Sequence, residues 1–314
     1  MLKGRIINLC GGVYKVLLED NTIISCKARG KLRSEKKFIV NEKSYSKKKV
    51  LTDVKNSPKV GDIAYISNDM IDHYEPRINE LIRPDIANVD QILLVFAAKE
   101  PDFSFYLLDL FLVNILRQNI NPLIVISKID KLTNDELLDL KNKMKYYENL
   151  GYNVIYVNSL TKEGIELVDK ALENKITVLS GQTGAGKSTL INALIPEFNL
   201  QTQEISQALG RGKHTTRETN LYMYKNGFIG DTPGFSKLDV LGVEKHELAS
   251  LFVDFEGCQC RFKDCNHTKN ILGCGIHESV DQGLILESRY ESYQRMYQLI
   301  EEKGRKKWKF HYLF

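Results

Sequence analysis

Residues 176–194 constrain this chain more than any other stretch. An apolar run, Ile176–Ser180, leads into Gly181-Gln-Thr-Gly-Ala-Gly186-Lys187-Ser188, and helix-forming residues continue to Leu194. Strand, glycine-rich turn and helix in that order make a phosphate loop. Its glycines let backbone N–H groups wrap phosphate oxygens without side-chain clashes, and the helix N-terminus adds its positive end. Gly181, Gln182, Thr183, Gly184, Ala185 and Gly186 are the expected cradle. Lys187 is placed to reach the terminal phosphates as a point charge, and Ser188, with Thr189 beside it, to ligate Mg²⁺.

A phosphate loop does not choose the base. Ser127-Lys128-Ile129-Asp130 follows an apolar run at Leu123–Ser127, the end of a strand. The two oxygens of the Asp130 carboxylate match the paired N–H donors of guanine, which adenine lacks, and the Lys128 stem can lie along the ring. By itself the tetrapeptide is also what a helix-capping aspartate looks like. Its partners give it weight. Asn158-Ser159-Leu160 follows the strand Asn153–Val157, so Ser159 and backbone donors including that of Leu160 can meet the base carbonyl. Asp231-Thr-Pro-Gly234 follows the strand Phe228–Gly230, where Asp231 would stand behind the Mg²⁺ water shell and the Gly234 N–H would face the γ-phosphate.

The order of these segments is unusual. Guanine-nucleotide switches ordinarily run phosphate loop, switch, Asp-x-x-Gly, base motif and serine-containing loop; here the last two come first. The alternation of strand and helix from about residue 83 implies a parallel sheet covered on both faces, and such sheets bind ligands at strand carboxyl ends. A site made of strand ends tolerates cutting the chain elsewhere, so a circular permutation is expected. Between phosphate loop and Asp231 lies Leu209-Gly-Arg-Gly-Lys-His-Thr-Thr-Arg217, a glycine-loosened cationic loop with the character of a nucleotide-ordered switch. Thr216, or else Thr215, can give its hydroxyl to Mg²⁺. Phe235 stands where a water-orienting glutamine is usual, which makes His214 the candidate for that task.

Four of the six cysteines crowd into residues 258–274. Cys260, Cys265, His267 and Cys274 form a closed set of three thiolates and one imidazole, typical of structural Zn²⁺ in a reducing compartment. Cys258 is a spare that could replace Cys260, and His246 and His277 read as surface or packing residues. At the other end, residues 1–60 hold fifteen Lys or Arg against five Asp or Glu, although the net charge of the 314 residues is only +4. Such asymmetry points to a polyanionic partner. Five short runs, Arg5–Asn8, Val13–Leu18, Thr22–Cys26, Val50–Asp53 and Ile63–Ile66, suggest a small OB-type barrel carrying that charge. No stretch reads as a signal peptide, and no run of about 18 apolar residues is present to span a membrane.

The fold expected is therefore multidomain: an OB-type β-barrel at 1–69, a circularly permuted α/β P-loop GTPase domain at 70–240, and a mostly helical zinc-binding domain at 241–314. The sequence resembles the bacterial ribosome small-subunit-dependent GTPases, the circularly permuted GTPase A family. The likeness rests on Arg83-Pro-Asp-Ile-Ala-Asn-Val-Asp90, the permuted order, Arg211-Gly-Lys-His214-Thr-Thr216, Asp231-Thr-Pro-Gly-Phe235 and the Cys–Cys–His–Cys cluster. It departs at Ser127, where asparagine is commoner, and in the six residues between His267 and Cys274, where five are usual. The resemblance implies a cytoplasmic monomer that binds GTP and GDP with Mg²⁺ and is stimulated by the small (30S) ribosomal subunit through 16S rRNA. It also implies action late in subunit maturation, with the residue matching His214 involved in hydrolysis and that matching Thr216 in the switch. The alternatives are an rRNA-binding scaffold that holds GTP without meaningful hydrolysis, and an ATP-using P-loop enzyme.

Overall fold

A computed structural model describes residues 1–32, 35–40, 49–54, 57–81, 85–195, 219–231, 242–269 and 271–311. They belong to two compact units. The first gathers described residues of 1–90, 172–178 and 203–234, and the second those of 91–171, 179–202 and 235–314.

The first unit contains a closed five-stranded barrel. Strands β1 (Leu2–Cys10), β2 (Val13–Leu18) and β3 (Ile23–Ala28) form an antiparallel meander, and Gly11-Gly12 makes the first turn with positive φ at both glycines. Inward-facing Tyr14, Val16, Cys26 and Ala28 alternate with exposed or half-buried neighbours, the period-two pattern of a sheet with one dry face. One of the five expected strands differs. Residues around Val50–Asp53 do not close the barrel: β5 (Lys49–Val54) pairs with β4 (Glu35–Val40) in a separate two-stranded sheet. The barrel is completed by β6 (Ile63–Ser67) and β7 (Met70–Tyr74), with β6 against β1 and β7 against β3. The physical reason lies in Asn68 and Asp69, both at positive φ, which make a two-residue hairpin turn and return the chain onto β6 at once.

A bidentate pair anchors the chain just after the barrel: Arg77 donates 2.9 Å hydrogen bonds to both oxygens of fully buried Asp62. A short hairpin, β8 (Glu80–Leu81) with β9 (Ile86–Ala87), follows. Strand β1 also pairs antiparallel with β14 (Thr219–Tyr224), which pairs with β15 (Gly227–Asp231). In turn β15 runs parallel to the first half of β13 (Ile176–Gly181), Val178 opposite Gly230.

The second unit is the α/β half. Strands β10 (Gln91–Ala97), β11 (Asn121–Ser127) and β12 (Asn153–Tyr156) are parallel and in register, Ala97 opposite Ser127 and Ile126 opposite Tyr156. Every residue of β10 is buried, as expected of a strand covered on both faces. Helix α1 (Phe105–Leu116) opens on Ser104 as N-cap. Helix α2 (Asn134–Asn149) opens on the capping box of Thr133 and Glu136. Helices α3 (Ile165–Ala171) and α4 (Lys187–Leu194) complete this half.

The C-terminal residues pack on α1 in the same unit. Helices α5 (Gly275–Asp281) and α6 (Glu287–His311) share a core of Leu110, Val113, Phe252, Phe255, Ile276, Tyr293 and Met296. Into it runs one fully buried cation. Arg289 of α6 hydrogen-bonds Asp109 of α1 through Nη1, and Asp254 through Nε and Nη2 at 3.0–3.2 Å. Its guanidinium lies 4.6 Å from the Phe252 ring centre, and Tyr147 of α2 donates to the same Asp109 oxygen at 2.9 Å. Burial works against the charged guanidinium, but the two carboxylates outweigh it and hold Arg289 above its ordinary value. No helix among the described residues is long and apolar enough to cross a membrane.

Removing that cation while leaving its carboxylates buried is expected to be costly. Arg289→Met should destabilise the second unit by about 3–5 kcal/mol, read as a lower urea midpoint in equilibrium unfolding, whereas a loss below about 1 kcal/mol would mean the pair does not hold these helices together.

Candidate nucleotide site and metal cluster

The phosphate loop leaves β13 at Gly181. That residue is at φ 126°, and a Cβ there would stand 2.0 Å from the Val95 carbonyl oxygen, so the close approach of β13 to β10 requires glycine. The amide of Gln182 donates to the same Val95 oxygen at 3.0 Å. Residues 182–186 turn, Gly186 sits at φ 83° as the N-cap of α4, and Lys187, Ser188 and Thr189 form the first helical turn. The N–H groups of that turn have no intrahelical partners, which gives the loop its affinity for anions. The Lys187 ammonium bonds the carbonyls of Gly181 at 3.0 Å and Gln182 at 2.8 Å. Burial lowers its pKa, so an anion arriving there would favour the charged form. Ser188 and Thr189 are exposed.

The base motif comes to this loop. Ser127 ends β11, is almost fully buried, and donates its hydroxyl to the Ala185 carbonyl at 2.5 Å, with the Phe96 carbonyl at 3.1 Å. Lys128, in the left-handed region, donates to the carbonyl of Gly184 at 2.8 Å and to that of Glu100. Ile129 is buried and Asp130 exposed in the single 3₁₀ turn that follows. At the end of β12, the buried Asn158 side chain accepts from the Leu160 amide at 3.0 Å and the Thr161 amide at 3.3 Å, a turn that leaves Leu160 exposed and Ser159 half-buried. Segments from residues 127–130 and 181–188 thus meet, in the reverse of the usual chain order.

The described residues reach only part of the expected machinery. Asp231 is the last residue of β15, following the Val178–Gly230 register position. Gly234, His214, Thr215 and Thr216 lie outside the described residues, as do Arg83 and Arg211.

One segment of the site was not foreseen. The connection from β10 to α1 lies against the phosphate loop: Glu100 offers its carbonyl to Lys128 and its carboxylate to Lys131, and Gln182 donates to the Asp102 carbonyl at 3.1 Å. A signal was available, because a strand-to-helix connection at the carboxyl end of a parallel strand is where ligand sites form.

In the same unit, one ligand atom from each of Cys260, Cys265, His267 and Cys274 lies within 4.8 Å of all the others. Cys260 Sγ to His267 Nδ1 is 3.5 Å, Cys274 Sγ to His267 Nδ1 is 3.6 Å, and Cys260 Sγ to Cys274 Sγ is 3.9 Å. A tetrahedron with metal bonds of about 2.0–2.3 Å has edges of about 3.4–3.8 Å, so the donor set fits a single ion. Burial, and secondarily His277, lower the His267 pKa, keeping the imidazole neutral and able to ligate. Burial also pushes the Cys274 thiol up to about 12, so a thiolate there needs a neighbouring positive charge. Cys258 is turned elsewhere, its sulfur 3.4 Å from the Ser279 hydroxyl, and His277 hydrogen-bonds Tyr290 at 2.6 Å.

A Ser-Lys-x-Asp turn that precedes the phosphate loop in sequence and touches it in space is the arrangement of a circularly permuted P-loop GTPase. The family model described as RsgA GTPase matches residues 74–241, and that of the RsgA N-terminal domain matches residues 3–41. The chain belongs to the RsgA GTPase family. The small ribosomal subunit biogenesis GTPase RsgA of Onion yellows phytoplasma (strain OY-M) is 41% identical over 312 residues, covering 96% of this chain and 99% of that one. Its namesake from Halalkalibacterium halodurans is 40% identical, over 93% and 95% of the two chains. Among solved structures, YjeQ from Thermotoga maritima superposes with a TM-score of 0.77 at 31% identity, covering 95% of this chain and 98% of that one. YloQ, described as a circularly permuted GTPase, does so with 0.75 at 32%, covering 96% of each.

Proposed function

We propose that this chain is a GTP-controlled switch acting on the small ribosomal subunit late in its assembly, through 16S rRNA, as a monomer in the cytoplasm. The observation that carries the reading is the contact of Ser127 and Lys128 with the Ala185 and Gly184 carbonyls, which ties base recognition to the phosphate cradle. In this reading Asp130 pairs with guanine, the Lys128 stem covers the ring, and Ser159 and the Leu160 amide face the base carbonyl. Gly181 to Gly186 present backbone N–H groups, and Lys187 leaves the Gly181 and Gln182 carbonyls for the β- and γ-phosphates. Ser188, Thr216 and, through water, Asp231 would hold Mg²⁺, which supplies charge neutralisation between those phosphates. The Gly234 amide faces the γ-phosphate, and His214 orients the attacking water when the chain is docked on RNA. Cys260, Cys265, His267 and Cys274 would hold one structural Zn²⁺, whose charge makes three thiolates tolerable in a half-buried cluster. The basic N-terminal barrel supplies phosphate contacts, with affinity falling steeply as salt rises.

The central test is GTP turnover titrated with purified small subunits. Turnover should rise with added subunits, and His214→Ala should lower the stimulated rate roughly a hundredfold with GTP affinity nearly intact. Equal stimulation of variant and parent would remove His214 from hydrolysis, and a parent that subunits do not stimulate would favour a GTP-holding scaffold. Asp130→Asn should weaken GTP about ten- to a hundredfold, because the amide keeps one acceptor and loses one charge-assisted bond worth about 1.5–3 kcal/mol, and should improve xanthosine triphosphate; unchanged preference would take Asp130 out of base recognition. Elemental analysis of the purified chain should find about one zinc per molecule, and its absence would leave the cluster as thiols alone.

A further inference from the structure

The barrel carries an aromatic ladder on its outer surface with one rung open. Lys3 of β1, Tyr65 of β6 and His73 of β7 are register partners across three adjacent strands. The Tyr65 and His73 rings are stacked, with centres 4.5 Å apart and planes 10° from parallel, and the Lys3 ammonium lies 5.6 Å from the Tyr65 ring centre. Glu75 fixes the arrangement. It pairs with Lys3 at 2.9 Å and accepts from the Tyr65 hydroxyl at 3.0 Å. His73 points outward because of a bulge. The register passes from Ile66 opposite Ile71 to Tyr65 opposite His73, so Asp72 is one extra residue on β7. Without it, His73 would share the inward face of fully buried Ile71.

Among the described residues, no strand or ring covers the far side of the ladder. Strand β3 pairs with β7 only at Lys27–Met70 and Ala28–Ile71. Among the described residues no second ring stacks on His73, which is exposed. Residues 1–60 are cationic in excess, with fifteen Lys or Arg against five Asp or Glu, and beside His73 the charges are paired, Lys3 with Glu75 and Arg29 with Asp72. A flat π-face held at fixed orientation on a small barrel is the chemistry that takes an unpaired nucleobase, because every base has a face to stack whatever its sequence.

We propose that the outer face of His73 is a stacking platform for an unpaired base of single-stranded RNA, Tyr65 and Lys3 being the rungs that hold it flat. This rests on the reading that the barrel binds RNA. A cross-strand aromatic pair also stabilises a sheet, and the variants are chosen to separate the two roles.

The experiment uses the full chain and a fluorescently labelled, unstructured oligoribonucleotide, with the duplex of the same sequence as comparison, titrated at several salt concentrations. His73→Ala should weaken single-strand binding roughly five- to a hundredfold, as loss of one stacked base does. His73→Phe should restore it, duplex affinity should hold, and the salt slope should be unchanged because no phosphate contact is lost. Basal GTP turnover should also be unaltered. Overturning results are a thermally intact His73→Ala that binds single strands as the parent does, or His73→Phe as weak as His73→Ala. A His73→Ala defect confined to capture of an arginine-rich peptide would likewise overturn it, since the platform would then serve protein. If the parent binds RNA and small subunits stimulate its turnover while His73→Ala changes nothing, only the platform is wrong. If the parent binds no RNA and subunits do not stimulate it, the wider reading fails with it.

Discussion

Parallel pairing in register brings the ends of β10, β11 and β12 to one level, Ala97 beside Ser127 and Ile126 beside Tyr156. Each strand end then opens into a turn over the same patch: residues 99–102, 127–131 and 158–161. A nucleotide pocket of this kind is a property of adjacency, and adjacency is fixed by sheet hydrogen bonds whatever order the chain visits the strands. The permuted order costs nothing at the site, because the connection that is cut elsewhere never contributed to it. The close approach at Gly181, whose neighbour Gln182 bonds Val95, seats the phosphate loop on the same edge.

The second dependence is ionic. A guanidinium with no exposed surface is tolerated only when carboxylates surround it, and Asp109 and Asp254 come from different parts of the chain to do so. Asp109 belongs to α1, which follows the strand beside the phosphate loop, and Asp254 lies just before the cysteine–histidine cluster. Tyr147, from α2, completes the cage. The C-terminal helices and strands β10, β11 and β12 therefore belong to one compact unit. A replacement of all three charges by apolar groups of matching volume would conserve packing but would lose the directionality that sets α6 against α1.

What was legible in the sequence tracks how local the determinants are. The phosphate loop, the capping box of Thr133 and Glu136, the buried strand Gln91–Ala97 and the helix Lys187–Leu194 are written in contiguous residues, and each falls where the pattern places it. The four-ligand cluster was legible because metal-binding residue types at close spacing have few other uses. The fifth barrel strand was not, since Met70–Tyr74 is one short run whose role is decided by the Asn68-Asp69 turn and not by its own composition. Arg289 was hidden for a different reason: on a helix rich in charge, nothing local marks one arginine as buried. Its trace lay far away, in the lone Asp109 within the apolar run Phe105–Leu116, a charge that must find a cation once that helix is covered.

Ser127 shows how far a substitution at such a site can be absorbed. A hydroxyl carries one proton, and two carbonyls compete for it, Ala185 at 2.5 Å and Phe96 at 3.1 Å. The shorter contact takes the proton, so the serine braces the phosphate loop against β11 and has no second donor to offer. An asparagine in its place could brace the loop with its amide and keep another donor or acceptor for neighbours. In the proposed reading, discrimination of the base then falls on Asp130 and the Ser159 turn. The rigidity that an asparagine would provide comes instead from Lys128, held from two sides by the Gly184 and Glu100 carbonyls. In that reading the connection at residues 99–102 belongs to the recognition apparatus, and it is fastened to the phosphate loop at Gln182 as well.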